Sequence, residues 1–122
     1  DYACMSGIKT AGKRVYCDGF YGCAKKANHP ETIINSGGDV FCDAGSGCYE
    51  ATITATTGSI ICGGSGSCSF ATMTAGKSVK LYDQGRTSFA TISDTPLIEA
   101  FGSETLYYTT IDSGSLSSMI VR

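Results

Sequence analysis

The sequence predicts an all-β fold, a parallel β-solenoid in which residues 1–122 form a single domain of about six stacked coils. Three observations lead to this fold class. One short segment recurs every 19–20 residues, a Cys-x5-Cys motif precedes it in the early repeats, and Gly-rich turns separate stretches dominated by β-branched residues. A repeat of this size cannot bury its own apolar face, so successive repeats are expected to stack as paired strands about 4.8 Å apart.

The recurring segment is EATIT at 50–54, FATMT at 70–74, FATIS at 89–93 and YTTID at 108–112, and we align ETIIN at 31–35 with it. The threonines that mark it are Thr32, Thr52, Thr72, Thr91 and Thr110, in steps of 20, 20, 19 and 19 residues. A β-sandwich would also show turn signals at short intervals, but it would not repeat the same side chains at a fixed step. We expect right-handed coils with intra-coil disulfides, and a left-handed coil is compatible with the same period.

Strand alternation assigns the inward and outward faces of this segment. Two columns are expected to point inward, and they are Ile53, Met73, Ile92, Ile111 and Ala51, Ala71, Ala90, Thr109. The outward positions form a predicted hydroxyl ladder of Thr52, Thr54, Thr72, Thr74, Thr91, Ser93 and Thr110, which ends at Asp112. The aromatic column Phe70, Phe89 and Tyr108 faces outward as an interaction surface, or belongs to the core if a corner of the coil breaks the alternation.

Seven cysteines in 122 residues indicate an oxidising compartment and disulfide bonds. The expected pairs lie within coils and are Cys17–Cys23, Cys42–Cys48 and Cys62–Cys68, with pairing across coils, such as Cys23 with Cys42, as the alternative. Zinc sites favour closer cysteine spacings together with histidine, and the single histidine, His29, lies outside every motif, so we expect no metal and no cofactor. Cys4 is left over, either as a thiol without a partner in this chain or as one half of an intermolecular disulfide.

Composition argues against several function classes. A net charge of −2 gives no basic surface for nucleic acid or an anionic membrane, and no apolar run approaches the ~18 residues of a membrane span. The glutamates are scattered over different columns and His29 lies in an insertion at 24–33, so we expect no enzyme. Asp18 and Asp43 occupy equivalent positions that could hold calcium, although the next coil has Gly63 there. The chain begins with Asp1 rather than Met, which we interpret as a mature or excised chain with any targeting segment already removed. The cysteine content favours a secreted or cell-surface protein.

Two families share parts of this pattern. The Cys-x5-Cys motif, together with Thr-x-Thr at 52–54 and 72–74, resembles the disulfide-laced β-helical antifreeze proteins of insects, whose coils are shorter and whose threonine ladder continues further. The longer unit is more similar to the cysteine-rich parallel β-helix repeats of secreted and cell-surface proteins in algae and other protists. The first resemblance implies ice binding through the outward threonines, and the second implies a secreted solenoid without assigning it a chemistry.

The leading functional hypothesis is an extracellular structural protein, the protomer of a fibre or surface appendage. Neither DYACMSGI at the start nor SSMIVR at the end contains a capping helix, and the two ends of a parallel solenoid are complementary. Head-to-tail addition would therefore be open-ended, with a second copy of the chain as the partner. The alternatives are an ice-binding protein and a fragment of a larger secreted β-helix adhesin or carbohydrate-binding protein, for which glycans would be the partner.

Overall fold

A computed structural model describes residues 7–17, 32–42, 48–63, 66, 68–82, 89–101, 109–112 and 118–121. This part of the chain consists of twelve β-strands joined by turns. The strands are β1 (Gly7–Ala11), β2 (Val15–Tyr16), β3 (Thr32–Ser36), β4 (Val40–Cys42), β5 (Thr52–Ala55), β6 (Ser59–Cys62), β7 (Thr72–Ala75), β8 (Ser78–Leu81), β9 (Thr91–Ser93), β10 (Leu97–Ala100), β11 (Thr110–Asp112) and β12 (Ser118–Val121).

The strands form two parallel sheets. The first sheet has the order β1-β3-β5-β7-β9-β11, and the second has the order β12-β10-β8-β6-β4-β2. Odd-numbered and even-numbered strands therefore separate into different sheets, because each winding of the chain adds one strand to each sheet. Thr52 and Thr72 lie directly opposite each other on β5 and β7. The predicted all-β parallel solenoid is confirmed, while its handedness stays a prediction.

The strand register corrects one part of the sequence alignment. Ile33, rather than Thr32, lies opposite Thr52. Thr32 lies one position earlier, opposite Gly7, and its side chain is fully buried. The following corner fixes this register, because Ser36 must point inward for its Oγ to donate a hydrogen bond to the Lys13 carbonyl oxygen at 3.0 Å. A slip of one residue would turn every side chain of β3 to the other face.

The core is the narrow space between the two sheets. It contains one apolar column from the first sheet, Ile34, Ile53, Met73 and Ile92, and one from the second sheet, Val40, Ile60, Val79 and Ile98. A column of alanines, Ala51, Ala71 and Ala90, lies beside them and is also buried. Ile111 packs against this core while partly exposed, and Thr109 is half-buried. Small residues in this column allow the coil to close around a thin interior.

Glycines form the corner that leads from the first sheet to the second. A Cβ at Gly76 would lie 2.1 Å from the carbonyl oxygen of Thr56 in the preceding coil. Similar short distances to the neighbouring coil occur at Gly37, Gly38 and Gly58. Successive corners therefore touch backbone to backbone, which leaves no room for a side chain.

Candidate functional surfaces

Disulfide bonds close the coil between the end of the second sheet and the next corner. Cys42 is bonded to Cys48 and Cys62 to Cys68, as the Cys-x5-Cys spacing predicts. Cys17 is also disulfide-bonded, while its predicted partner Cys23 lies outside the described residues, as does Cys4. A loop this short contributes about 2 kcal/mol to the free energy of unfolding in the chain-entropy model. Disulfides of this kind indicate an oxidising compartment.

Cys42 and Cys62 belong to an interior column of the second sheet in which the later coils have other residues. Cys42 lies opposite Cys62, Cys62 opposite Leu81, and Leu81 opposite Ala100. The sulfur atoms of Cys17, Cys42 and Cys48 lie within 4.8 Å of one another. All three cysteines are disulfide-bonded, so none of them offers a thiolate to a metal ion in this state.

The outer face of the first sheet carries the hydroxyl ladder in two columns. The first column runs Thr52, Thr72, Thr91, Thr110, and the second runs Thr54, Thr74, Ser93, Asp112. Every one of these side chains is half-buried or exposed. Neighbouring hydroxyls are spaced about 4.8 Å across strands and about 6.6 Å along a strand. The corrected register interrupts the ladder at β3, where Ile33 and Asn35 take the two outward positions.

The aromatic column occupies the corner that enters the first sheet. Phe70 and Phe89 are 48% and 51% exposed, so these rings form an outer surface rather than part of the core. A corner is nevertheless present, because both residues have positive φ, and in the Phe70 turn the Ala71 N–H donates to the Cys68 carbonyl oxygen at 3.1 Å. From the sequence, a corner and an exposed position are alternatives for these residues, and the structure combines the two. Tyr108 lies outside the described residues.

The outer face of the second sheet forms a further surface, which is not among the sites predicted from the sequence. It forms a shallow trough of about 640 Å³ whose walls include Phe41, Ile61, Lys80, Glu99 and Tyr82. Tyr16 stacks on Phe41 with ring centroids 4.8 Å apart, and Tyr82 stacks on Phe101 at 5.3 Å. A signal was present in the sequence. The residue before the first cysteine of each motif must point outward if the cysteine points inward.

A second hollow of about 370 Å³ adjoins the trough at the glycine corner. Lys13, Arg14 and Lys77 line it, and Asp39 and Lys77 also line the trough, so the two hollows are continuous. Asp39 has a structural role here, because its Oδ1 accepts a hydrogen bond from the Ser59 N–H at 2.8 Å. The combined surface is concave, open to solvent and rich in cationic side chains.

Other predicted positions are not described. Asp18 and Asp43 of the calcium hypothesis, and Lys25, Lys26 and His29 of the insertion, lie outside the described residues. Within the part of the chain that the structure covers, no helix is long and apolar enough to cross a membrane. Comparison of the chain with protein-family models, with curated proteins and with solved structures returns no match.

Proposed function

We propose that this chain is a structural protein of an extracellular compartment and that it assembles head to tail into a fibre or surface appendage. The observation that carries the proposal is the parallel register of both sheets. Among the described strands, β1 and β11 are the terminal strands of the first sheet, and β2 and β12 are those of the second. Each of these four strands is paired with a described strand on one side only. Unpaired edges of this kind attract further strands.

The two edges of such a stack are complementary. All strands within each sheet run in the same direction, so β1 of one copy could follow β11 of another just as β11 follows β9. The same holds for β2 of one copy and β12 of the other. Contact between two different ends is heterologous, and it continues as a filament when it does not close.

The composition of the coils supports a mechanical role. Their interior is filled by aliphatic side chains and disulfides, and backbone hydrogen bonds join successive coils through both sheets. A rod built this way resists bending because every interior strand is paired on both sides. The disulfides also support an extracellular location, where they persist.

The proposal is tested by sedimentation velocity and negative-stain microscopy of the purified chain. We expect concentration-dependent filaments. A paired-cysteine experiment then tests the register. Ile8 and Thr110 occupy the same position in the strand register of the first sheet, so Ile8→Cys with Thr110→Cys would place the two substituted residues on adjacent strands at each joint. Adjacent strands in this sheet bring Cα atoms to a distance that disulfides bridge.

Oxidation of the Ile8→Cys/Thr110→Cys protein should give a ladder of covalent multimers. The matched control is Thr72→Cys/Thr110→Cys, which carries the same number of added thiols but has Thr72 on the interior strand β7. Equal multimer yield from both proteins would contradict the proposed joint. Sedimentation as a monomer at all accessible concentrations would contradict fibre assembly itself.

Ice binding is a second candidate, favoured by the hydroxyl ladder. Seven hydroxyls lie in two columns on the adjacent strands β5, β7, β9 and β11, which makes a regular two-dimensional array. Thermal hysteresis measures this function directly. We expect Thr72→Lys to abolish it and Ile61→Lys, which adds the same charge to the outer face of the other sheet, to preserve it. Absence of hysteresis in the unsubstituted chain would remove this candidate.

A further inference from the structure

We propose that the trough on the outer face of the second sheet, together with the adjoining hollow at the glycine corner, binds an acidic polysaccharide. The occupant is an extended chain of sugars that carry carboxylates. This binding surface is lateral to the solenoid axis, so it stays accessible whether the protein is a monomer or a filament. The inference therefore does not depend on head-to-tail assembly.

The first support is the segregation of positive charge. The structure describes four cationic side chains, and all of them line the two hollows, namely Lys13, Arg14, Lys77 and Lys80. Among the described side chains, positive charge is thus concentrated on this one surface, although the chain as a whole has a net charge of −2. Cations on a concave surface raise the local concentration of an anionic ligand.

The second support is that each acidic residue on this surface already has a hydrogen-bond donor or a facing lysine. Asp39 accepts the Ser59 N–H, which ties its carboxylate to the backbone of the next coil. Glu99 lies directly opposite Lys80 on the neighbouring strand. Lys13, Arg14 and Lys77 lie in the corners just before strands β2 and β8, and their side chains are exposed. They are therefore available to a ligand's carboxylates.

The third support is the pair of aromatic stacks on the trough. Tyr16 with Phe41 and Tyr82 with Phe101 present partly exposed rings, and Tyr16 and Tyr82 are 52% and 40% exposed. Phe41 and Tyr82 line the trough itself. Rings of this kind offer an apolar face to the C–H groups of a sugar, and a tyrosine also offers a hydroxyl for hydrogen bonding. Cations beside such rings suit a ligand that is both saccharide and anion.

The shape of this surface favours an extended polymer rather than a small ligand. The trough and the corner hollow join through Asp39 and Lys77 into one open surface that crosses several coils. A small ligand is normally enclosed in a deep and mainly apolar pocket. An open concave surface can instead contact several residues of a chain that lies across it.

The test measures binding of linear polygalacturonate by biolayer interferometry at low and high ionic strength, with neutral dextran and single-stranded DNA as comparison polymers. We expect polygalacturonate to bind, to weaken as salt rises, and to bind more tightly than either comparison polymer. No binding of polygalacturonate would overturn the proposal. Equal binding of dextran would remove the role of charge, and equal binding of DNA would reduce the surface to a general polyanion site and overturn the saccharide assignment.

Variants localise the site. Lys77→Ala with Lys80→Ala should weaken binding about tenfold, and Glu99→Gln should strengthen it about twofold because it removes a repulsive charge. Tyr82→Ala should weaken binding about two- to tenfold. Phe70→Ala is the matched control, because Phe70 is a similarly exposed ring at a different corner of the coil, and it should leave binding unchanged. Thermal melting confirms that each variant is folded, and unchanged affinity in folded Lys77→Ala/Lys80→Ala protein would overturn the proposal.

Discussion

The rings of Phe70 and Phe89 stack with their centroids 5.2 Å apart, and their planes are inclined by 15°. Both residues adopt left-handed backbone conformations, with φ of 59° and 56°, and Glu50 in the preceding coil has φ of 58°. A residue with a Cβ loses about 1–2 kcal/mol in this region. Three successive coils accept that cost at the same corner, which places two aromatic side chains in a stack on the outside of the rod.

A comparison of Phe70→Gly with Phe70→Ala measures the energetic cost of the left-handed backbone separately from the contribution of ring stacking. Both substitutions remove the ring, but only alanine retains a Cβ at positive φ. We expect Phe70→Gly to have a free energy of unfolding about 0.5–1 kcal/mol higher than Phe70→Ala, because relief of the left-handed strain exceeds the added entropy of the unfolded chain. Urea denaturation of the two variants measures the difference.

Thr72 provides the control for this comparison, since it is an exposed residue in strand β7. Thr72→Gly should be about 0.5–1 kcal/mol less stable than Thr72→Ala, the opposite order, because glycine weakens an extended strand. If alanine were the more stable substitution at Phe70 as well, the left-handed corner would not carry the assigned strain.

The fold could be predicted from the sequence because the period of the repeat is a property of the side chains themselves. The predicted register of Thr32 was wrong. Two isoleucines follow Thr32, and an alignment on threonine alone cannot decide which of them points inward. Contact of Ser36 with the preceding coil decides this register, and such a contact appears only after the coils stack. Whether Phe70 is exposed or buried could not be decided from the sequence either, because strand alternation carries no information about a corner residue. The trough was not predicted because its walls come from the second sheet, where the outward side chains differ from coil to coil.

Gly76 is predicted to be intolerant of any side chain. Its Cβ would lie 2.1 Å from the Thr56 carbonyl oxygen, and this neighbour is backbone that cannot rotate away. We expect Gly76→Ala to lower the free energy of unfolding by about 1–3 kcal/mol. Gly12 is the matched control, because a Cβ there meets nothing within 4 Å. Gly12→Ala should leave stability unchanged or raise it by about 0.4–1 kcal/mol through the unfolded chain, and equal losses at both sites would contradict the close packing of the corners.

Thr95 supplies a hydrogen bond where strand β9 ends early. Its side chain is fully buried, its Oγ1 accepts from the Ala75 N–H at 3.1 Å, and its hydroxyl donates to the Ser93 carbonyl oxygen at 2.9 Å. Thr95→Val keeps the shape but removes both interactions, so we expect a loss of about 1–3 kcal/mol in the free energy of unfolding. Thr91→Val, on the outward face of the same strand, should change it by less than about 0.5 kcal/mol. Similar losses from both valines would show that the Thr95 hydroxyl has no special role.

We expect that an additional disulfide can be introduced into the coil that follows the Cys62–Cys68 disulfide. Leu81 continues the column of Cys42 and Cys62, and Thr87 lies six residues after it in the sequence, the separation found in both observed disulfides. We expect Leu81→Cys with Thr87→Cys to oxidise to a disulfide within the coil, because the sequence repeat aligns Thr87 with Cys68 at the same 19-residue step that relates Leu81 to Cys62. Mass spectrometry after alkylation counts the remaining thiols. The control is Leu81→Cys with Ser93→Cys, whose second thiol lies on the outer face of the first sheet and should remain alkylatable. Free thiols in the first variant under conditions that oxidise the native pairs would mean that the coil changes its cross-section after Leu81.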